Sequence, residues 1–84
     1  MTDDLTLYWR AGCPYCARLK LRLRLARIPF TPVDIRADPD AAALVRSVNH
    51  GDELVPTVRV GDRYLGNPSF REVRAALAAL GAEG

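Results

Sequence analysis

The sequence predicts a small α/β protein in which helices cover both faces of a four-stranded mixed sheet. Two strand-like segments, each followed by a helical one, make up the first half of the chain, and this order implies two parallel strands. Residues 55–60 and 63–66 form a hairpin pattern around Gly61 and Asp62, which adds antiparallel strands. A last helical segment completes the order β-α-β-α-β-β-α. With 84 residues, 49% of them hydrophobic, we expect one domain spanning 1–84.

The first strand and the first helix are separated by a short loop. Residues 5–9 are mostly aromatic or aliphatic and predict a buried strand. Pro14 suits the first turn of a helix, because its fixed φ matches that conformation, and Pro29 would end the helix. Residues 19–25 alternate strictly between apolar and basic side chains, which alone is typical of a strand. We assign them to the helix, since Leu and Arg favour helices and no β-branched or aromatic residue is present.

The predicted first helix has apolar residues on two sides. Cys16, Leu19 and Leu23 share one face, which is expected to pack on the sheet. Leu21 and Leu25 lie on the opposite side. We expect the last helix to pack beside the first on the same face of the sheet, where it could bury these two leucines.

The remaining elements have recognisable boundaries. Residues 30–35 predict the second strand. Asp38 is expected to cap a helix over residues 39–48. Residues 69–80 predict the last helix, because apolar side chains recur there at helical spacing, and Gly81 is expected to end it.

Composition and charge exclude several classes of protein. No apolar run approaches the roughly 20 residues of a membrane span, so no membrane association is expected. The net charge is +2, and the first 27 residues carry six basic and two acidic side chains. No nucleic-acid-binding pattern accompanies the arginines, so the basic segment is either a solvated helix face or a surface that attracts anionic partners. The acidic N-terminus does not resemble a signal peptide, and we expect a reducing, cytoplasmic location.

The motif Cys13-Pro14-Tyr15-Cys16 lies between the first strand and the helix that follows. Two cysteines at this spacing in a reducing compartment indicate redox chemistry. Cys13 is placed at the helix N-terminus, where free N–H groups and the helix dipole favour the nucleophilic thiolate. Cys16 lies one turn further on the buried face, within reach of Cys13 but not of a bulky substrate. We therefore expect Cys13 to attack and Cys16 to resolve.

Other interpretations of the cysteines remain open. Both could be unreactive. They could also bind zinc or an iron–sulfur cluster, but zinc usually has four ligands and the chain offers two cysteines and one histidine, His50. Such a site would need a second chain, and Pro14 stiffens the loop against bridging a cluster. We therefore expect no metal, and we interpret His50 as an exposed turn residue.

The cysteine motif, the order of elements and the pair Val55-Pro56 before the hairpin resemble the glutaredoxins of the thioredoxin fold, over essentially the whole chain. The resemblance implies that Pro56 is cis. The backbone of Val55 would then face the thiol and pair with an extended thiol peptide or protein segment. It also implies that Tyr15 lines the thiol groove and that Arg10 contacts a carboxylate of the thiol substrate. Trp9 is expected to belong to the core or to the groove wall.

The turn before the last helix departs from the glutathione-using pattern. Those glutaredoxins carry a Gly-Gly-x-Asp-like turn, whereas this chain has Gly66-Asn67-Pro68-Ser69, and Pro68 lacks an N–H donor. Asn67 or Pro68 is expected to open the helix. The region is similar to the mycoredoxins, which act on mycothiol, although Pro14 is closer to ordinary glutaredoxins. The side chains of Asn67 and Ser69 would suit the sugar and inositol hydroxyls of that thiol.

The resemblance implies a thiol–disulfide oxidoreductase that reduces mixed disulfides between proteins and a small thiol, mycothiol or else glutathione. It implies no bound cofactor, a monomer, and thiolated or disulfide-containing proteins and a thiol–disulfide reductase as partners. One alternative is a glutathione glutaredoxin or an electron donor fed by thioredoxin reductase, for example to ribonucleotide reductase. The other is a metal-binding or iron–sulfur cluster module.

Overall fold

The computed structural model describes residues 4–83, and the side chains of residues 4–81. In chain order the elements are β1 (Leu5–Trp9), α1 (Pro14–Leu25), β2 (Thr31–Asp34), α2 (Pro39–Val48), β3 (Thr57–Val60), β4 (Arg63–Gly66) and α3 (Phe70–Glu83). This succession confirms the order predicted from the sequence. The strands lie in the order β2-β1-β3-β4. β1 and β2 are parallel, and the other two pairings are antiparallel.

Each face of the sheet has its own hydrophobic cluster, because neighbouring residues of a strand point to opposite sides. Leu5 and Leu7 of β1 lie in the cluster that contains Leu23 of α1 and Val73 of α3. Tyr8 lies in the second cluster, with residues of α2 and with Cys16. The sheet is therefore covered by α1 and α3 on one face and by α2 on the other, as predicted.

The N-terminus of α2 confirms the predicted cap. The carboxylate of Asp38 accepts a hydrogen bond from the Ala41 N–H at 3.1 Å. Substituting such a cap by alanine typically costs about 0.5–2 kcal/mol. The cap fixes where α2 begins, after the turn that follows β2.

The predicted burial of Leu21 and Leu25 is wrong. Both are exposed, at 56% and 72%. The helix α3 packs through Val73 and Ala76 into the cluster that also holds the opposite side of α1. The outer side of α1, with its two leucines, is therefore left facing solvent.

Gly81 does not end the last helix, which continues to Glu83. A glycine that terminates a helix usually adopts positive φ, and Gly81 keeps a helical backbone instead. A helical glycine costs roughly 1 kcal/mol relative to alanine, which does not by itself break a helix that is packed on a sheet.

Candidate active site

Cys13 is the N-cap of α1, at the carboxyl end of the strand β1. Its Sγ accepts a hydrogen bond from the Cys16 N–H at 3.4 Å. Its own N–H donates to the Arg10 C=O at 3.3 Å, which shapes the loop between strand and helix. The thiol is only partly buried. The sulfur therefore sits where the helix presents free N–H groups and where a substrate can approach.

The pKa of the Cys13 thiol is lower than its usual value. Partial burial raises it, but hydrogen bonds from the Cys16 thiol and from the N–H groups of Cys16 and Tyr15, together with the positive charge of Arg10, outweigh that effect. All of these groups stabilise the thiolate. Since the thiolate is the nucleophile of thiol–disulfide exchange, Cys13 has the properties of an attacking thiol.

Cys16 has the opposite properties. Its side chain is buried, with 2% exposed. Burial, and to a lesser extent the hydrogen bond to Cys13, raises its pKa to about 11. A buried thiol of this kind is within reach of Cys13 Sγ, to which it is hydrogen-bonded, but not of a protein substrate.

The peptide bond between Val55 and Pro56 is cis, as expected. In its thiol form, Cys13 donates from Sγ to the Val55 C=O over 3.7 Å, so this backbone segment faces the thiol. The Pro56 C=O accepts a hydrogen bond from the Asn67 N–H at 2.8 Å. Four of the predicted site residues are thus joined in one chain of contacts that runs from Cys13 to the turn before α3.

A polar network that the sequence did not predict anchors this segment. The buried hydroxyl of Thr57 donates to the Leu54 C=O at 2.6 Å and accepts from the Asn49 side-chain amide at 3.1 Å. The same amide donates to the Val45 C=O at 2.8 Å. Gly66 leaves room for the Asn49 side chain, since a Cβ on residue 66 would lie 2.7 Å from Asn49 Oδ1. The only sequence signal was a polar threonine directly after the proline, between apolar residues.

Tyr15, Asn67 and Ser69 meet across a cavity of about 280 Å³ between the start of α1 and the start of α3. Tyr15 is 61% exposed, so its ring is available to a ligand. Asn67 adopts a positive φ of 46°, which asparagine tolerates better than most residues. The expected groove residues therefore come together beside the motif that contains Cys13.

The prediction that Asn67 or Pro68 opens the last helix is wrong. Ser69 is the residue before α3, and its hydroxyl accepts from the Glu72 N–H at 3.1 Å. The Glu72 carboxylate accepts in return from the Ser69 N–H at 2.8 Å. This reciprocal pair is a capping box, and its Ser-x-x-Glu pattern was present in the sequence. Pro68 precedes the helix and is buried, so its missing N–H is not one of the free donors of α3.

The comparisons with known proteins agree with this geometry. A family model described as Glutaredoxin matches residues 5–65. The chain belongs to the glutaredoxin family. Glutaredoxins are thiol–disulfide oxidoreductases that act on disulfide-containing proteins with glutathione or mycothiol as co-substrate.

Two relatives and one solved structure show how far the similarity extends. A Mycobacterium tuberculosis H37Rv protein named as a candidate glutaredoxin is 44% identical over 81 residues, which is 95% of this chain and 96% of that protein. Mycoredoxin 1 of Corynebacterium glutamicum is 37% identical over 79 residues, covering 93% and 98% of the two chains. The glutaredoxin structure from Archaeoglobus fulgidus superposes with a TM-score of 0.75 at 20% identity, covering 90% and 87%, which establishes the shared fold.

Trp9 and His50 occupy different environments in this glutaredoxin. Trp9 packs against both hydrophobic clusters, and the Lys20 ammonium lies 3.3 Å from the centre of its ring. Burial lowers the pKa of Lys20. His50 is an exposed turn residue with φ of 57°, as expected.

No group of three or more His, Cys, Asp or Glu side chains within residues 4–81 is arranged to hold a metal ion. Among the helices that the structure describes, none is long and apolar enough to cross a membrane.

Proposed function

We propose that this glutaredoxin reduces mixed disulfides between proteins and mycothiol, with Cys13 as nucleophile and Cys16 as resolving thiol. The observation that carries the proposal is the contrast between the two cysteines. Cys13 is accessible and its pKa is lowered, whereas Cys16 is buried and its pKa is raised to about 11. The 37% identity to Mycoredoxin 1 supports the choice of thiol.

The reaction would proceed by two thiol–disulfide exchanges. The Cys13 thiolate attacks the sulfur of the small thiol, the S–S bond of the mixed disulfide breaks, and the protein leaves as a thiolate that takes up a proton. A new disulfide now joins Cys13 to the small thiol. A second small thiol, as thiolate, attacks the small-thiol sulfur, restores Cys13 and leaves as the symmetric disulfide. Alternatively Cys16 loses its proton and attacks Cys13 Sγ, which forms a Cys13–Cys16 disulfide and releases the small thiol as a thiolate that takes up a proton. A thiol–disulfide reductase would then reduce the Cys13–Cys16 disulfide and restore both thiols.

The turn before α3 supports mycothiol over glutathione. A γ-glutamyl carboxylate is best bound by the free N–H groups of a helix N-terminus. In this protein the Glu72 carboxylate already lies at that end of α3, and it takes the Ser69 N–H. The Asn67 N–H donates to the Pro56 C=O, so it is not free to bind a carboxylate. A second carboxylate would be repelled there, whereas sugar hydroxyls can both donate to Glu72 and accept from the Asn67 side chain.

Turnover of one model peptide, thiolated either with mycothiol or with glutathione, tests this proposal. The wild-type protein is expected to favour the mycothiolated form in kcat/KM. Glu72→Gln should raise kcat/KM for the glutathionylated form by about two- to fivefold, because a charge at a helix N-terminus is worth about 0.3–1 kcal/mol. Replacing Asn67 and Pro68 by glycines should lower turnover of the mycothiolated form, because it removes the Asn67 side chain.

Asp40→Asn is the matched control, since Asp40 is a carboxylate in the first turn of α2 rather than α3. It should leave the ratio of the two thiols unchanged. Equal use of both thiols by the wild type, with no change of ratio in either variant, would show that this turn does not select the thiol. The protein would then be a general glutaredoxin.

A further inference from the structure

Four arginines line two adjoining cavities that share Phe70, on the surface formed by α1 and α3. We call this surface the arginine face; it consists of Phe70 with Arg18, Arg22, Arg71 and Arg74. The guanidinium carbons of Arg22 and Arg74 lie 4.6 Å and 5.9 Å from the centre of the Phe70 ring. All four arginines are exposed. The face therefore presents four positive charges, two of which lie close to one aromatic ring.

The charges of the arginine face are not neutralised within the protein. In the part of the chain whose side chains the structure describes, the ion pair between Arg46 and Glu53 is the only one, and no arginine of the face has a carboxylate within 4 Å. Glu72 is the one acidic residue that lines the neighbouring cavity, and its carboxylate is engaged by the Ser69 N–H. Four like charges on two adjacent helices repel one another, so an anionic partner would be favoured.

The arginine face is continuous with the thiol groove. Arg22 and Phe70 line both the 280 Å³ cavity beside Tyr15 and an adjoining cleft of about 650 Å³ that contains Arg71 and Arg74. A molecule bound along this cleft would reach the groove in which the small thiol is proposed to lie.

The exposed leucines of α1 extend the same surface. Leu21 and Leu25 follow Arg18 at positions i+3 and i+7, so they form one stripe with Arg18 and Arg22 along the helix. Both are more than half exposed. A face that mixes arginines with leucines and a phenylalanine suits a polypeptide that carries both carboxylates and apolar side chains, because guanidinium groups pair with carboxylates in bidentate fashion.

We propose that the arginine face docks an acidic segment of the protein whose mixed disulfide Cys13 reduces. This inference rests on the proposed function and names its class of protein substrate. Charge complementarity of this kind acts mainly on the rate of encounter, and salt screens it. Substrates with acidic residues near the thiolated cysteine are therefore reduced faster than neutral or basic ones.

The inference can be tested with three synthetic peptides. Each carries one mycothiolated cysteine, and they differ only in the flanking residues, which are all Glu, all Gln or all Lys. At low salt, kcat/KM of the wild-type protein should be about tenfold higher for the Glu peptide than for the Gln peptide, and lowest for the Lys peptide. This preference should largely disappear at about 1 M salt. In the variant R71E/R74E the order should reverse, while turnover of the Gln peptide is retained.

The control variant R27E/R63E has the same change of net charge at the other end of the sheet. Arg27 follows the C-terminus of α1, and Arg63 adjoins the β3–β4 turn. This variant should keep the preference for the Glu peptide. Thermal unfolding followed by circular dichroism checks that both variants are folded, and a glutamate at position 71 is favourable in the first turn of α3.

The outcomes separate the two proposals. Active wild-type protein that reduces all three peptides equally would overturn the docking surface and leave the oxidoreductase intact. If R71E/R74E and R27E/R63E both lost the preference for the Glu peptide, net charge alone would explain that preference. The assignment of the docking surface to the arginine face would then be overturned. Failure to reduce even the Gln peptide would instead contradict the proposed function.

Discussion

Replacing Cys13 with Ser is expected to abolish the reduction of mixed disulfides, with kcat/KM falling at least about 10³-fold. Serine cannot form a comparable nucleophile at neutral pH. Cys16 cannot take over, since it is buried and its pKa is raised to about 11. The change is measured as turnover of a mycothiolated peptide by the purified variant.

Cys16→Ser is the matched comparison. The substitution keeps the N–H of residue 16, which donates to Cys13 Sγ, and removes only the resolving sulfur. This variant should retain much of the activity and accumulate a mixed disulfide between Cys13 and the small thiol, visible as added mass. If Cys16→Ser were as inactive as Cys13→Ser, the reaction would need both cysteines in every cycle.

In the reduced protein, iodoacetamide is expected to modify Cys13 at least tenfold faster than Cys16 at pH 7. A thiol with a pKa of about 11 is ionised to only about 10⁻⁴ at that pH, whereas Cys13, whose pKa is lowered by hydrogen bonds and by the charge of Arg10, is ionised to a much greater extent. The greater intrinsic nucleophilicity of the more basic Cys16 thiolate offsets only part of this difference in ionisation. Burial of Cys16 widens the difference further. Peptide mapping by mass spectrometry gives both rates, and equal rates would refute the assignment of the nucleophile.

The pH dependence of the Cys13 reaction follows from the same groups. Its rate should rise with pH and level off once the thiolate is fully formed, with an inflection at a lower pH than that of an unperturbed cysteine. Arg10→Gln should move the inflection to higher pH, because the Arg10 charge helps to lower the pKa of Cys13. Arg27→Gln, at the far end of α1, serves as the control and should leave the inflection in place. An unchanged inflection in Arg10→Gln would mean that hydrogen bonds alone determine the pKa.

The parts of the site that depend on neighbours in the sequence were predictable. The position of Cys13 at the start of α1 follows from the motif and from the strand before it, and the structure places it there. The cis bond before Pro56 came from the family resemblance, and no pattern of the sequence alone would have given it. The Ser-x-x-Glu pattern of residues 69–72 predicts a capping box, and with it Ser69 would have been identified as the N-cap of α3.

The remaining features depend on how the elements pack in three dimensions. Thr57 meets Asn49 because the loop over residues 50–56 brings the start of β3 back to the end of α2. The exposure of Leu21 and Leu25 depends on which side of α1 the last helix covers, and a helix with leucines on two sides does not specify that. Residues 19–25 alternate in a way that is typical of a strand, and only residue propensities assigned them to α1. Propensities do not specify which elements a helix packs against.

The surroundings of Trp9 make the site observable without any label. It is the only tryptophan of the protein, and it packs against the same hydrophobic cluster as Cys13. An ammonium group lies directly over its ring. Indole emission responds to nearby charge and sulfur, so we expect the tryptophan emission to change when the motif is oxidised or bound to a small thiol. A single round of the reaction should then be observable in the unmodified protein without a coupled enzyme.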